Sequence, residues 1–501
     1  TTDTSTTAFA DLLLPATTWG EKEGTVTNSE RRITRVRAAV PPPGQARHDW
    51  RIVVDFGRLL ENEPGVRAKD IAHSLFPYET PESVWLEHRE STRGRDLDIT
   101  GLSYALLESQ GPQQWPMPEG ATHGQARLYA DGRFPTADGR AKFAAVAFMP
   151  PKEAVDADFP FSLNTGRLRD QWHGMSRTGT LGRLFGHVSE PSVDLHPSDM
   201  QRLGLKDGDL VRVRSRRGEV IIQAMTSAAQ LSGQAHIAMH WGSEFLSGRS
   251  AEGQRLQGVN ALTQPAFCPT SKQPELKHAA VAIESVTLPW QLVAMAWLPA
   301  DNALAVREAV SALAQDFAFY SCVPFGDEGR DDGQVGVLLR LADTQAPAAD
   351  RLAPLLAQLE SWFGVQASDT LRYDDASQHQ HRAMRVVGSG ADGAQALQAF
   401  IVSGAAASQA WLRPLLQERQ PVQALGTRLL SPGAKAPGEV ASRGKQVCTC
   451  FNVSEPQILS YLPQCSGSAA ERLSQLQGAL KCGTNCGSCV PALRKLIQTN
   501  C

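Results

Sequence analysis

Asp207-Gly-Asp-Leu-Val-Arg-Val-Arg-Ser215, near the middle of this 501-residue chain, is the stretch that decides the fold. It alternates apolar and charged residues, which is typical of a strand with one buried face. Arg217-Gly218 then supplies a turn, and Val220-Ile-Ile-Gln-Ala224 returns as a second strand. The pattern predicts a β-hairpin with one solvated face.

The residues around this hairpin predict a small β-barrel. A short helix is predicted at residues 196–203, because Pro197 stands at its start and a glycine follows its end. Two further strands are predicted at Phe161-Ser-Leu-Asn-Thr165 and at residues 231–239. Several short strands around a single helix are typical of a small barrel, so we predict one barrel domain over residues 155–285.

On either side of the barrel, the chain divides into further predicted domains. Residues 1–150 have an α/β pattern, and residues 286–430 have the pattern of an α+β module of unknown role. Residues 431–446 are rich in Pro and Gly and are predicted to form a flexible linker. The remaining residues, 447–501, fit a compact helical domain in which Ser454 caps the first helix.

Two elements of the first domain are defined by their composition and period. Phe9-Ala-Asp-Leu-Leu-Leu-Pro15 has the composition of a buried strand. Asp49 is predicted to cap a helix farther along the chain. The apolar face of that helix would consist of Ile52, Val53, Phe56, Leu59 and Leu60.

The overall composition limits the setting of the protein. The hydrophobic fraction of 42% and the charged fraction of 20% are ordinary for globular domains. A net charge of −3 gives no reason to expect nucleic acid or an anionic membrane as a partner. No apolar run approaches the roughly 18 residues of a membrane span. The chain opens on Thr1 without a methionine, so we expect a fragment whose amino-terminal part is missing.

The cysteines are concentrated at the end of the chain, where seven of the nine fall in the last 54 residues. A Cys-x-Cys pair, Cys448 and Cys450, lies far upstream of a Cys-x-x-Cys pair, Cys486 and Cys489. Four thiolates are what an iron–sulfur cluster needs. This set therefore predicts the ligands of a [2Fe–2S] cluster.

Two other uses of these thiols stay open. Structural zinc takes the same ligands, although its sites favour C-x-x-C on both sides. Disulfides would need an oxidising compartment. Gly483 and Gly487 favour the cluster, because turns there would direct amide N–H groups at its sulfur atoms. Cys482 could replace one ligand, whereas Cys465 and Cys501 are predicted bystanders.

A polar segment, residues 164–178, follows the first predicted barrel strand. Its Thr165 hydroxyl, Gly166 amide and Arg167 guanidinium could cradle a phosphate. Taken alone, however, the segment favours a solvated turn over a phosphate cradle. Taken alone, Asn260 and Lys277 are expected to be ordinary surface residues.

Taken in order along the chain, these segments resemble the molybdopterin oxidoreductase family. The resembling segments are residues 10–32, 165–173, 196–199, 208–209, 215–219, 259–263 and 269–277. The tail, residues 447–453 with residues 482–491, resembles the bacterioferritin-associated-ferredoxin type of [2Fe–2S] domain. A molybdopterin core joined to such a tail resembles the catalytic subunits of bacterial assimilatory nitrate reductases.

The resemblance implies a multidomain α/β and β fold and a set of binding residues. The implied parts are an α/β piece of a molybdopterin oxidoreductase core, a six-stranded double-psi β-barrel, an α+β module and a small α-helical [2Fe–2S] domain. In this family two molybdopterin guanine dinucleotides hold one molybdenum atom. The implied dinucleotide contacts are Thr165, Gly166, Arg167, Leu168, Trp172, His173, Gly174, Trp241, Asn260 and Lys277, and the implied cluster ligands are Cys448, Cys450, Cys486 and Cys489.

The implied function is molybdenum-dependent reduction of nitrate to nitrite, in nitrate assimilation in the cytoplasm. The [2Fe–2S] cluster would take electrons from a reductase or a ferredoxin- or flavodoxin-type protein. The family's [4Fe–4S] cysteines and its molybdenum-ligating cysteine would lie before Thr1, so the chain alone is not expected to reduce nitrate. Another molybdopterin oxidoreductase, such as a formate dehydrogenase, and a non-catalytic electron-transfer protein are the alternatives.

Overall fold

The computed structural model describes residues 6–66, 73–275, 277–326, 333–366, 368–389 and 394–500. These residues fall into two compact units, whose main parts are residues 6–148 and residues 149–500. Within the described ranges, no helix has both the length and the apolar composition that a membrane crossing requires.

The unit of residues 6–148 combines a small antiparallel sheet with three helices. Its strands are β1 (Gly24–Thr27), β2 (Arg32–Val36) and β3 (Gln113–Gln114), with β2 in the middle. Its helices are α1 (Asp49–Glu61), α2 (Pro81–Ser91) and α3 (Tyr104–Gln110). The core of this unit consists of Ile33, Trp85, Ile99, Leu102, Tyr104, Leu107 and Met117.

Two features of this unit differ from the expectation. The predicted strand around Leu12 is wrong. The Leu12 side chain is 72% exposed, and residues 10–14 pair with no strand among the described residues. Without such a partner, a buried strand would leave its backbone N–H and C=O groups unsatisfied. Helix α1 forms where expected, but His48 is its N-cap, and Phe56 on its apolar face is 58% exposed. The apolar period predicts a packing face without specifying what covers it.

Residues 161–285 contain a closed six-stranded barrel, which confirms the predicted fold class. Its strands are β4 (Phe161–Gly166), β5 (Ser192–Leu195), β6 (Leu210–Arg214), β7 (Glu219–Thr226), β8 (Gln234–Ala238) and β11 (His278–Ser285), and α4 (Pro197–Arg202) follows β5. The order around the barrel is β11-β4-β8-β5-β7-β6, with β4–β8 and β5–β7 parallel and the other pairs antiparallel. Between β8 and β11, the strands β9 (Leu246–Arg249) and β10 (Arg255–Leu256) belong to another sheet. Fully buried residues of the barrel include Val193, Leu195, Val211, Val213, Ile222, Ile237 and Val281.

The hairpin that the sequence predicts is formed by β6 and β7, with Arg214 opposite Glu219 beside the turn. The predicted solvated face is present on β6, where Arg214 is half-buried. It is absent on β7, where residues 220–222 are all buried. The cause is tertiary, because β7 also packs against residues 246–249 and 259–262. A strand that is covered on both faces loses its alternation.

The next module is built on an eight-stranded sheet. Its strands are β9 (Leu246–Arg249), β10 (Arg255–Leu256), β12 (Trp290–Pro299), β13 (Phe319–Phe325), β14 (Gln334–Asp343), β15 (Thr370–Asp375), β16 (Gln380–Ser389) and β17 (Ala394–Gly404). The strand order is β10-β9-β13-β14-β12-β17-β16-β15. The helices α5 (Ala300–Ser311), α6 (Ala349–Trp362) and α7 (Gln409–Gln417) accompany it, which makes the module α+β.

A buried carboxylate joins the barrel to this module. Glu190, which precedes β5, accepts a hydrogen bond from Arg340 Nη1 of β14 at 2.8 Å and another from Arg413 of α7. Arg340 Nη1 also donates to Gln223 Oε1 of β7 at 3.0 Å. Burial acts to raise the pKa of Glu190, but the charges of Arg413 and Arg340 outweigh burial and lower that pKa to about 2. The carboxylate therefore stays ionised between its two cations.

The predicted linker forms neither helix nor strand over residues 431–445, but side chains of the α+β module hold it. Trp411 Nε1 donates to the carbonyl of Gly433 at 2.9 Å. Gln420 Nε2 donates to the carbonyl of Ala441 at 2.6 Å. The segment is therefore anchored rather than free.

The tail is a small helical structure, as predicted. It contains β18 (Gln446–Cys448), β19 (Val453–Ser454), α8 (Glu455–Tyr461), α9 (Ala469–Leu480) and α10 (Val490–Thr499). Ser454 caps α8 through a capping box with Gln457, which satisfies amide groups at the start of the helix. The buried core of the tail includes Val447, Ile458, Leu462, Leu476, Leu493 and Ile497 together with Cys448, Cys465, Cys482 and Cys489.

Candidate functional site

One end of the barrel collects the segments in which the sequence predicts dinucleotide contacts. β4 and the parallel β8 finish together, with Gly166 opposite Ala238. β11 begins at the same end, where His278 lies opposite Asn164. We call this the ligand end of the barrel, and it comprises residues 164–178, 239–242 and 277–278.

The backbone after β4 follows a strained path. His173 and Met175 have φ angles of 34° and 59°, in the left-handed region that residues other than glycine rarely adopt. The Trp172 amide donates to Thr178 Oγ1 at 3.1 Å, and the Met175 amide donates to the Trp172 carbonyl at 2.6 Å. Strain of this kind concentrates at functional sites. It supports a binding role for the segment over a solvated turn.

The predicted contacts in this segment offer several kinds of group to a ligand. Arg167, Trp172 and His173 are exposed, whereas Thr165 is buried. The rings of Trp172 and His173 meet edge-on, with 4.6 Å between their centroids. A Cβ atom added at Gly174 would meet no atom within 4 Å, so the backbone there is open to approach.

His240, which the sequence analysis missed, lies at the centre of the ligand end. Its ring is buried, and Nε2 accepts a hydrogen bond from the Leu168 amide at 2.9 Å. Nδ1 therefore carries the proton and donates to the His173 carbonyl. Burial lowers the pKa of His240; the bond to His173 opposes that shift, and the charges of Arg167 and Lys277 add to it. Arg167 and Lys277, which belong to two separate predicted segments, thus both lie near the buried ring of His240.

This set of groups fits a phosphate-containing dinucleotide. Arginine, lysine and backbone amides are the usual donors to phosphate oxygens. Arg167 and Lys277 supply the cations, and Lys277 Nζ lies 3.9 Å from Met239 Sδ, beside the end of β8. A molybdopterin dinucleotide bound here would supply two dithiolene sulfurs to molybdenum, and the residues of the ligand end would hold and orient it.

The remaining predicted contacts have different surroundings. Asn260 is exposed in a 3-10 turn before β11. Trp241 is buried, and its ring packs edge-on against Phe245 with 6.1 Å between centroids. At Gly166 an added Cβ would lie 2.9 Å from His236 Nε2, so the close approach there suits glycine. The assignment of each residue as a dinucleotide contact stays a prediction.

The four predicted cluster ligands form two pairs, and each pair joins one motif to the other. The Sγ atoms of Cys450 and Cys486 are 3.3 Å apart, and Cys448 lies close enough to Cys489 to act, with burial, to raise the pKa of the Cys489 thiol. Two thiolates on one tetrahedral metal at about 2.3 Å lie roughly 3.8 Å apart. The described cysteines are all free, and a disulfide would bring two sulfurs to about 2.05 Å.

Pairs of thiols favour a cluster with two metal atoms. Among the described residues, no three His, Cys, Asp or Glu side chains surround a point where a single metal ion could bind. A structural zinc site needs four ligands around one ion. A [2Fe–2S] cluster instead spreads four ligands over two iron atoms, two on each. The observed pairing therefore fits the cluster better than zinc.

Backbone amides point at these sulfur atoms, as the glycines of the second motif predict. The Cys486 amide bonds Cys450 Sγ, which acts to lower the pKa of that thiol, although burial and the Cys486 thiol raise it overall. The side chain and amide of Ser488 lower the pKa of Cys486. Gly487 has a φ of 73°, which makes the turn possible. Such N–H···S bonds tune the potential of a cluster.

The more deeply buried thiols differ in what they face. Burial raises the pKa of Cys489 to about 12 and that of Cys482 to about 11, so both bind a metal only by releasing a proton. Cys482 Sγ donates toward the Leu476 carbonyl at 3.9 Å. Cys465 Sγ donates toward the Tyr461 carbonyl, also at 3.9 Å. The thiols of Cys482 and Cys465 are therefore directed at backbone carbonyls rather than at the two thiol pairs of the predicted ligands.

An ion pair that no sequence pattern predicted connects the ligand end to the tail. Arg169 and Asp170 lie in the segment after β4, and Arg169 Nη1 donates to the carbonyl of Val447 at 2.9 Å. Val447 precedes the predicted ligand Cys448. No local signal marks this contact, because the two residues are 278 positions apart.

Three family descriptions match parts of this chain. Residues 1–58 match "Molybdopterin oxidoreductase", and residues 161–280 match "Molydopterin dinucleotide binding domain". Residues 446–499 match "BFD-like [2Fe-2S] binding domain". The second match covers the barrel almost from end to end, and the third covers the cysteine-rich tail.

Curated relatives extend the likeness. A nitrate reductase of Klebsiella oxytoca is 32% identical over 506 residues, which is 99% of this chain and 51% of the relative. A nitrate reductase of Synechocystis sp. is 40% identical over 287 residues, which is 56% of this chain and 38% of the relative. The F420-dependent formate dehydrogenase subunit alpha of Methanocaldococcus jannaschii is 34% identical over 283 residues, again 56% of this chain and 38% of the relative. The chain thus spans about half the length of the first relative and less of the others.

Among solved structures, acetylene hydratase from Pelobacter acetylenicus aligns with a TM-score of 0.40 and 17% identity, over 55% of this chain and 38% of that one. Likeness at this level carries no argument. The three family matches follow one another in the predicted order, and a relative aligns along nearly the whole chain. The chain therefore contains a stretch that matches molybdopterin oxidoreductases, a barrel that matches their dinucleotide-binding domain, and a [2Fe–2S] domain of the BFD type.

Proposed function

We propose that this chain is part of an enzyme that reduces nitrate to nitrite in nitrate assimilation. The observation that carries the proposal is the alignment of 99% of the chain, including its cysteine-rich tail, with a nitrate reductase. The overall reaction consumes one nitrate, two electrons and two protons and releases nitrite and water. Bound molybdenum would supply the oxygen-atom transfer, and the residues described above would hold its organic ligand.

Two molybdopterin guanine dinucleotides would share the metal, and the ligand end of the barrel would bind one of them. Arg167 and Lys277 would contact phosphate oxygens, because both present cations beside the buried His240. Trp172 and His173 would offer exposed rings to a flat ring system. Thr165, Gly166, Leu168, Gly174, Trp241 and Asn260 complete the proposed set.

Electrons would enter through a [2Fe–2S] cluster in the tail. Cys450 with Cys486, and Cys448 with Cys489, would each hold one iron atom. A reductase or a ferredoxin- or flavodoxin-type protein would be the donor, since a cluster of this kind carries one electron at a time. Free thiols are compatible with a reducing compartment, so we place the enzyme in the cytoplasm.

A formate dehydrogenase is the second candidate. F420-dependent formate dehydrogenase subunits are 31–34% identical to this chain, but they align with only 56% of it. The nitrate reductase alignment over the whole chain favours the first candidate. A host in which this gene is disrupted should stop growing on nitrate as sole nitrogen source while it still oxidises formate. The reverse result would exchange the two candidates.

The ligand assignment is tested on the whole chain, reconstituted anaerobically with iron and sulfide. Reduction should produce a rhombic [2Fe–2S] EPR signal. Cys450→Ser and Cys489→Ser should abolish the signal, whereas the matched control Cys465→Ser should keep it. Loss of the signal in Cys482→Ser with retention in Cys486→Ser would overturn the assignment. Purification with one zinc per chain and no iron would overturn the electron-transfer role.

A further inference from the structure

We propose that Arg169 and Asp170 dock the cluster-binding loop, residues 447–450, onto the ligand end of the barrel and set the potential of the cluster. The inference rests on the proposed ligation of a [2Fe–2S] cluster by the tail. It assigns a positioning role to two residues that belong to neither the dinucleotide contacts nor the cluster ligands.

The docking contact is a closed set of hydrogen bonds around the first ligand. Arg169 Nη1 donates to the carbonyl of Val447 at 2.9 Å, and Nη2 donates to Thr449 Oγ1 at 3.0 Å. Thr449 Oγ1 in turn donates to Asp170 Oδ2 at 2.7 Å. Val447 and Thr449 are the two neighbours of Cys448. The loop is therefore held on both sides of that ligand.

The ion pair itself is rigid enough to act as one unit. Arg169 Nε and Nη2 donate to the two carboxylate oxygens of Asp170 at 3.0 and 2.9 Å, the bidentate geometry that fixes both planes. The side chains are 19% and 11% exposed. Because the pair lies in a largely dry contact, its hydrogen bonds are screened little by water.

A second arginine holds the other ligand of the Cys-x-Cys motif. Arg183 Nη2 donates to the carbonyl of Cys450 at 3.1 Å. Beside it the two surfaces approach closely, since a Cβ added at Gly186 would lie 1.5 Å from Gln446 Oε1. Residues 183–186, which lie just beyond the ligand end, therefore add a second hydrogen bond and a close contact to the docking of the loop.

The charges have a defined effect on a bound cluster. The Arg169 guanidinium donates to residues on both sides of the ligand Cys448, so its positive charge lies beside the proposed cluster site. Reduction adds one negative charge to a cluster. A nearby cation therefore stabilises the reduced form and raises its potential, whereas a carboxylate does the opposite. Arg169 and Asp170 should act with opposite signs.

The contact also gives the cluster a place relative to the dinucleotide. Residues 169 and 170 directly follow Arg167 and Leu168, which are proposed dinucleotide contacts. The same short segment thus touches the cluster-binding loop on one side and forms part of the ligand end on the other. Docking here brings the entry point of the electrons beside the proposed binding segment of the cofactor.

The electrostatic part is tested by EPR-monitored redox titration of the reconstituted chain. Arg169→Gln should lower the potential of the cluster, and Asp170→Asn should raise it. Arg169→Lys keeps the charge and should leave the potential close to that of the wild type. The matched control Arg351→Gln removes an exposed arginine of α6 and should change nothing. If the potential shifted in the same direction in Arg169→Gln and Asp170→Asn, or did not shift in either, the role of the pair in setting the potential would be refuted.

The docking part is tested by amide hydrogen exchange of residues 446–450 in the same proteins. Loss of charged hydrogen bonds should speed exchange roughly tenfold or more in Arg169→Gln, and Arg169→Lys should lie in between because it loses the bidentate geometry. If the exchange rates of residues 446–450 were unchanged in both Arg169→Gln and Arg169→Lys, the docking role would be overturned. A wild-type chain that assembles no cluster defeats the proposed function instead, and in that case exchange still reports on the contact.

Discussion

Replacement of Glu190 by Gln should destabilise the joint between the barrel and the α+β module by about 3 kcal/mol at pH 7. The magnitude follows from the fall in pKa from 4.5 to about 2 on folding, because each tenfold change in proton affinity corresponds to about 1.4 kcal/mol. The group is buried, so water does little to weaken its attraction to Arg340 and Arg413. The substitution removes the negative charge and leaves Arg340 and Arg413 facing a neutral amide.

The sign of the pH dependence is fixed by the direction of that shift. A carboxylate whose pKa is lowered by folding stabilises the protein above its unfolded value, and this stabilisation disappears as pH falls through the folded value. The difference between wild type and Glu190→Gln should therefore shrink from about 3 kcal/mol at pH 7 to about half or less at pH 3, and vanish below pH ~2.

Urea unfolding of the whole chain at the two pH values measures this difference. Glu284→Gln is the matched control, since Glu284 is exposed on β11 and should change stability little. An equal loss at pH 7 and pH 3 would show that the amide disturbs packing rather than charge. No loss beyond that of the control would refute the attribution of the stabilisation to this carboxylate.

Three further outcomes are expected. Arg167→Gln and Lys277→Gln should each reduce the molybdenum and pterin content of the purified protein, measured by metal analysis and pterin fluorescence, because each removes a cation from the ligand end; undiminished content would contradict the dinucleotide assignment. Ile237→Ala should lower the unfolding free energy by about 2–5 kcal/mol, because it opens a cavity in the fully buried core of the barrel; calorimetry measures this loss, and a loss under 1 kcal/mol would contradict the packing. Ser454→Ala should cost about 1 kcal/mol at the start of α8 and weaken cluster retention, because the capping box is lost; an unchanged melting temperature would count against the cap.

Local patterns predicted the elements whose causes lie within a few residues. The β6–β7 hairpin follows from alternation and a turn, and α8 begins at the serine that the sequence marks as its cap. The burial of residues 220–222 could not be read in the same way, because it arises from chain that packs on the outer face of β7. The exposed apolar face of α1 shows the same limit, since the period of a helix does not name its partner.

In the candidate site, too, local features were predicted from the sequence and long-range contacts were not. Motif spacing predicted Cys448, Cys450, Cys486 and Cys489 as ligands, and the glycine between the last two predicted a turn that directs amides at sulfur. Nothing in the spacing predicted that each pair would take one thiol from each motif. His240 carried no signal, because a lone histidine in an apolar strand end is common.

By itself, the sequence determined which chemistry the chain can support: four thiols in two close motifs, a cation-bearing segment after a strand, and a hairpin that commits the middle of the chain to a barrel. These features depend on neighbours within one turn or one strand, where spacing dictates geometry. Only the tertiary structure decided that Cys450 meets Cys486, that Arg167 and Lys277 share one end of the barrel, and that Arg169 reaches Val447. The physical reason is that such contacts join residues far apart in the chain, and their positions are set by the packing of all the elements between them.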